Sequence, residues 1–273
     1  EHHRITTKRG KESAREREKD RNELTMTHKE WIRGVNLGGW LVVERYIVPY
    51  LFAVTDCHLE GHLCWYPGQL SADTSSPDYI VCDLYQCRPQ LSVPVTGGSP
   101  DYPLDEYSLA EAFLLAHQGR GDGDSTYRNK QGLHIAERWF NSHFDNFIQE
   151  SDIRELADFG ITHIRVPIPH WILGNVLENE PWIVGNRWKA FLRVLEWART
   201  YNLQVWPDIH TAPGSQNGFD NSGHALPDIG CQGWSNNATH VARSRQVIRD
   251  ISHAIVQAGY GDVVTGFGLL NEP

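Results

Sequence analysis

The sequence predicts an α/β fold, a (β/α)8 TIM barrel of which roughly the first four βα units are present. Strand-like and helix-like segments alternate from about residue 150 to Pro273, and repeats of that size imply a parallel sheet. No Gly-rich phosphate loop opens any of the helices, as a doubly wound nucleotide-binding sheet requires. Polar residues gather where strands end, at Arg165, Asp208, His210, Asn271 and Glu272, the end at which barrels carry their active sites.

Residues 1–30 interleave Lys and Arg with Glu and hold almost no large apolar side chains, so they read as a charged tail without a core. The second region, 31–273, reads as the N-terminal part of the barrel, with a long Cys-containing insertion at about 55–130 that is rich in Pro, Gly, Asp and Ser. Within that insertion Leu109, Ala112, Phe113 and Ala116 share one face and predict a helix over 108–117. Further on, Ser151 is placed to cap a helix with Asp152 in its first turn and Ile153, Leu156 and Ala157 on its apolar face, ended by Gly160. A strand at 162–168, a helix at about 186–201 and a strand at 204–209 make a βαβ unit; a helix at about 243–258 then leads to a strand at 266–270.

Side chains alternate across a strand. Ile164, Val166 and Ile168 therefore share the helix-covered face, which turns Arg165 toward the barrel interior. Val205 and Ile209 likewise leave Trp206, Asp208 and His210 on the other side.

Composition narrows the function classes. The chain has 273 residues, 40% of them hydrophobic, ten tryptophans and a net charge of -9, with a pI near 5.8. That acidity argues against nucleic acid or an anionic membrane as partner. No stretch reaches the about 18 apolar residues of a membrane helix, because Glu44, Arg45 and Pro49 interrupt the best one. No secretory leader is visible in the charged segment 1–29. Cys57, Cys64, Cys82 and Cys87 lie close together without metal-ligand spacing, which favours local disulfides in one of three pairings over zinc. Asn237-Ala238-Thr239 is a glycosylation sequon and also leans extracellular.

The chain ends in Gly268-Leu269-Leu270-Asn271-Glu272-Pro273. A carboxylate with an amide neighbour at a strand tip suits the acid/base of a glycosidase, a reaction that needs two carboxyl groups about 5 to 9 Å apart. Glu272 supplies one.

Four segments extend this into a resemblance. Arg33-Gly34-Val35-Asn36-Leu37-Gly38-Gly39-Trp40-Leu41-Val42-Val43-Glu44, Ile164-Arg165-Val166-Pro167-Ile168, the run from Ala212-Pro213-Gly214-Ser215-Gln216-Asn217 through Gly218-Phe219-Asp220-Asn221-Ser222-Gly223, and Leu270-Asn271-Glu272-Pro273 resemble fungal and oomycete exo-β-1,3-glucanases of glycoside hydrolase family 5. The resemblance covers 31–54 and 139–273. It implies a retaining hydrolase that cleaves β-1,3-glucan from the non-reducing end, with Glu272 as acid/base and Asn271 on the 2-hydroxyl of the sugar being cleaved. It also implies that Arg165 and His210 orient the floor of the site and that Glu44 grips sugar hydroxyls. The partner is a β-glucan polysaccharide or oligosaccharide, no metal or organic cofactor is needed, the complete protein is a monomer, and its place is extracellular or the cell wall. The family's nucleophile stands at the seventh strand, so this chain is expected to be an incomplete, inactive fragment. Thr211 departs from a family Gly, and His170 from a Gly-Tyr pattern after Pro169.

Structural readings stand beside these. Arg165 and Asp208 also fit a buried ion pair, His210 a core imidazole, Glu44 a loop carboxylate, and Trp40, Trp171 and Trp206 core packing. The family alternatives are another β-glucanase or a transglycosylase, and the alternative outside it is a non-catalytic glucan-binding protein.

Overall fold

The computed structural model describes residues 31–52, 56–57, 62–63, 103–116, 130–226 and 233–273. Cys64, Cys82 and Cys87, and with them the expected disulfides, lie outside the described residues, as do the tail 1–30 and most of the 55–130 insertion. The described elements, all within Gly34–Pro273, run in the order β1 (Gly34–Asn36), α1 (Pro49–Phe52), β2 (Asp56–Cys57), β3 (His62–Leu63), α2 (Glu106–Ala116), α3 (Lys130–Asn146), α4 (Glu150–Asp158), β4 (His163–Ile168), α5 (Arg187–Thr200), β5 (Gln204–Ile209), a 3-10 turn (Asp220–Ser222) and α6 (Ala238–Gln257). No described helix is long and apolar enough to cross a membrane.

Strands β1, β4 and β5 lie side by side in chain order and all run parallel. The small β2–β3 pair is antiparallel and separate. The alternation of apolar positions has its expected consequence: Ile164, Val166, Ile168, Val205 and Ile209 are buried. They share one core with Phe191, Val194, Leu195 and Ala198 of α5 and Val247, Ile251 and Ile255 of α6.

The segment expected as a regular strand at 266–270 differs. It lies parallel to β5 through two isolated bridges, Val205 with Val264 and Asp208 with Gly268. Three steps along β5 thus face four along the last segment, so one extra residue bulges and interrupts the ladder. Close approach of the backbone explains the glycines there: a Cβ on Gly268 would stand 2.2 Å from the Asp208 carboxylate, and one on Gly266 2.6 Å from the Trp206 ring nitrogen. Past the bulge the chain still follows β5, since the N–H of Ile209 donates to Gly268 O and the N–H of Asn271 to Ile209 O, each at 2.9 Å.

Among the described residues of the insertion, helix α2 packs onto the scaffold. Asp105 caps it, accepting the N–H of Ser108 at 2.7 Å. Its first residue, Glu106, is wholly buried and paired with the equally buried Arg187 of α5. The other Glu106 oxygen accepts the N–H of Val43 at 3.0 Å, and Arg187 donates to Leu41 O at 3.2 Å with its guanidinium 4.5 Å above the Phe144 ring. Burial pushes the Glu106 carboxyl up and the Arg187 guanidinium down, while their mutual attraction opposes both shifts. The pair with its backbone partners therefore joins α2, the loop after β1 and α5.

Candidate active site

Side chains on the face of the sheet opposite the core build a polar cluster at the C-terminal ends of the strands. Arg165 of β4 donates to Asn36 at 2.7 Å, to Asp208 at 2.7 Å and to Asn271 at 2.8 Å. One oxygen of the buried Asp208 takes both Arg165 and, at 2.9 Å, Nδ1 of His210. A carboxylate only accepts, so His210 Nδ1 carries a proton and Nε2 is left facing the opposite way. There it stands 4.0 Å from the Glu44 carboxylate. Glu44 is buried in the loop after β1, where it accepts the Gly39 N–H at 3.3 Å and the hydroxyl of Tyr46. The structure thus brings Arg165, His210, Asn271 and Glu44 into one network with Asp208 at its centre. Arg165 and Asp208 do form an ion pair as part of that network, with Asp208 buried but Arg165 partly exposed.

Glu272 stands at the edge of this group and makes none of its hydrogen bonds with it. Its exposed carboxylate accepts Asn221 Nδ2 at 2.6 Å, and its backbone carbonyl accepts Asn217 Nδ2 at 3.2 Å. Its φ of +43° lies in the left-handed region, uncommon for a residue other than glycine, asparagine or aspartate and frequent at functional positions. Burial first, then its bond to Glu44, then the charges of Glu44, Asp220 and Glu272 push the Tyr46 hydroxyl up.

Sequence reasoning did not single out Asn36, Tyr46, Gln216, Asn217 or Asn221. Four of the five sit in the quoted motif segments, and a density of amides beside a carboxylate was the available signal. The run 212–223 forms a loop held by its own hydrogen bonds. Ser215 and Ser222 join hydroxyls at 2.6 Å inside it, and Gly223, at φ +80°, takes a left-handed conformation that suits a residue without a side chain, with Trp171 and Thr211 in close contact with it. Helix α2 abuts the same loop: the N–H of Tyr107 donates to Gly223 O at 2.9 Å, and the Tyr107 ring stacks on His224 at 3.8 Å. Trp40 and Trp171 are fully buried, the latter stacked on Trp182 at 3.7 Å, and Trp206 is half-buried.

Parallel strands in chain order, helices on one face and a carboxylate-amide network at the strand tips define an α/β chain with a barrel-type site. The same fold appears in rutinosidase from Aspergillus niger, which matches 88% of this chain and 48% of its own with a TM-score of 0.56 at 23% identity, and in AoRut, with a TM-score of 0.54 at 21% identity. By sequence, the chain is similar over 89% of its length to the glucan 1,3-beta-glucosidases of Pichia angusta (31% identical), Wickerhamomyces anomalus (32%) and Schizosaccharomyces pombe (31%). The resemblance carried by the motifs therefore extends through most of the chain. The chain spans 40 to 44% of the length of these relatives. No protein-family model matches it.

Proposed function

We propose that residues 31–273 are the N-terminal part of a (β/α)8 glycosidase of glycoside hydrolase family 5, contributing the first four βα units, and that the whole protein is a retaining glucan exo-1,3-β-glucosidase. The observation that carries this reading is the placement of Glu272 beside a network that already uses every other candidate residue. Glu272 acts as the general acid that protonates the glycosidic oxygen and then as the base that activates water. It faces solvent with one bond from Asn221, which leaves it able to reach a bound substrate. Asn271, whose side-chain oxygen is held by Arg165, binds the sugar 2-hydroxyl, an interaction that strengthens in the transition state. Arg165 and His210, joined through Asp208, orient the floor, and Glu44 receives sugar hydroxyls at the non-reducing end. Retaining hydrolysis also needs a second carboxyl group facing Glu272 across the scissile bond. Secretion to the medium or cell wall brings the enzyme to its β-glucan.

The test uses the full-length protein on laminarin, cellulose and pustulan. Release of glucose from laminarin with retained β-configuration is expected, and Glu272→Gln should lower kcat/KM by about 10²- to 10⁴-fold, the range for lost acid catalysis. Turnover unchanged in that variant would reject Glu272, preference for cellulose or pustulan would reassign the linkage, and binding without hydrolysis would identify a glucan-binding protein.

A further inference from the structure

Gln216 is completely buried, yet every part of its amide is engaged. Its Oε1 accepts the N–H of Ala212 at 3.0 Å, and its Nε2 donates to His210 O at 2.9 Å and to Asn271 O at 3.0 Å. One side chain thus bridges the end of β5, the end of the final segment and the loop between β5 and α6.

The bridge falls where the main chain stops helping. The last backbone bond between the final segment and β5 is the one from Asn271 N–H to Ile209 O. Glu272 follows at once, in its left-handed conformation and exposed to solvent. Its own two contacts, Asn217 and Asn221, lie one and five residues beyond Gln216 on the same loop. The loop is pinned in turn by the Ser215–Ser222 pair and by the N–H of Gly218 on Ser215 Oγ at 2.9 Å. Movement of Gln216 would displace Glu272 both through the Asn271 carbonyl and through the loop amides that hold the carboxylate.

We propose that Gln216 is a positioning residue for acid catalysis: its amide sets where the Glu272 carboxyl stands relative to the Asp208–His210–Arg165 network. This rests on the acid/base reading of Glu272. The position calls for one acceptor and two donors on a chain of that length. Only Gln meets it, since Glu has no N–H, Met has neither group and Asn falls short.

The experiment compares Gln216→Met and Gln216→Asn with Glu272→Gln in the full-length enzyme. It measures kcat/KM on laminaribiose, whose leaving group needs protonation, and on a nitrophenyl β-glucoside, whose leaving group does not. Misplacing a catalytic group by about 1 Å costs about 10²-fold, so each Gln216 variant should lose about that much on laminaribiose and far less on the nitrophenyl substrate, with a shifted alkaline limb in its pH profile. Equal losses on both substrates, or none, would overturn the proposal and make Gln216 a packing residue. Failure of both variants to fold would do the same. If Glu272→Gln itself lacks the leaving-group dependence, the acid/base reading falls first and the cause is separately visible.

Discussion

His143 illustrates how a single buried group sets acid sensitivity. It lies on α3 against the Phe147 ring, with Nε2 at 2.8 Å from the Gly39 carbonyl oxygen. Burial, chiefly, pushes its imidazole down to about 4. Above the ordinary histidine value of about 6.5 both folded and unfolded chains are neutral there, whereas below it only the unfolded chain takes up a proton. Stability is therefore lost as pH falls from about 6.5 toward 4, by up to about 3 kcal/mol from this residue. Urea midpoints between pH 4 and 7 should drop on acidification, and His143→Gln, which keeps a donor for Gly39, should flatten that slope. His170 adds to the residual slope with the same sign, because burial also holds it well below its usual value. Its ring meets Thr211 Oγ1 at 2.8 Å and its N–H donates to the same oxygen at 3.0 Å. The two departures from the family pattern are thus in contact: one supplies the hydroxyl that the other, buried, requires.

Elements begin and end where a cap is available, and caps explain most shifts from the expected boundaries. Helix α6 starts five residues before the first turn read from its apolar period, because Asn237 accepts the N–H groups of Thr239 and His240 at 3.0 and 3.3 Å. The Asn of the sequon is therefore an N-cap as well. Asn237→Ala should cost about 1 kcal/mol, and Asn237→Asp little, when thermal unfolding is measured. Helix α4 starts at Glu150 rather than after Ser151, since the Asp152 carboxylate accepts the Gln149 N–H at 2.8 Å. It ends as expected at Gly160, whose φ of +79° suits a residue without a side chain. Helix α3 was not among the elements picked out by pattern. Its buried face mixes Trp139, Phe140 and Phe144 with His143, and a histidine on an apolar stripe weakens the period that marks a helix.

At the scale of the whole molecule, the Glu106–Arg187 pair is, among the described residues, a fully buried charge link between helix α2 of the insertion and the scaffold. Removing one partner leaves the other charge buried and uncompensated, which typically costs about 3–5 kcal/mol. Glu106→Gln should accordingly lower the urea midpoint sharply and detach α2 from the 212–226 loop, raising proteolysis there. Replacing both residues with Met should recover much of the loss, since a well-packed apolar pair avoids the desolvation cost. A double variant as unstable as the single one would show that the backbone bonds to Val43 and Leu41 matter more than the charge.

The sequence alone determined the parallel α/β order, the apolar face of β4 and β5, and the gathering of Arg165, His210 and Asn271 at the strand tips. These follow from a period of two in strands and from the position of polar residues at strand ends, both local properties. Tertiary structure decided what depends on distance across the chain. It joined Asn36, Arg165, Asp208 and Asn271, more than 230 residues from first to last, and buried Glu106 against Arg187. It placed Gln216 between two strand ends and, past the last backbone bond at Asn271, turned Glu272 in its left-handed conformation so that it meets Asn221 instead of the sheet. Hydrogen-bond partners chosen across folded space leave no periodic trace, because each is fixed by packing that only the complete arrangement of helices on the sheet creates.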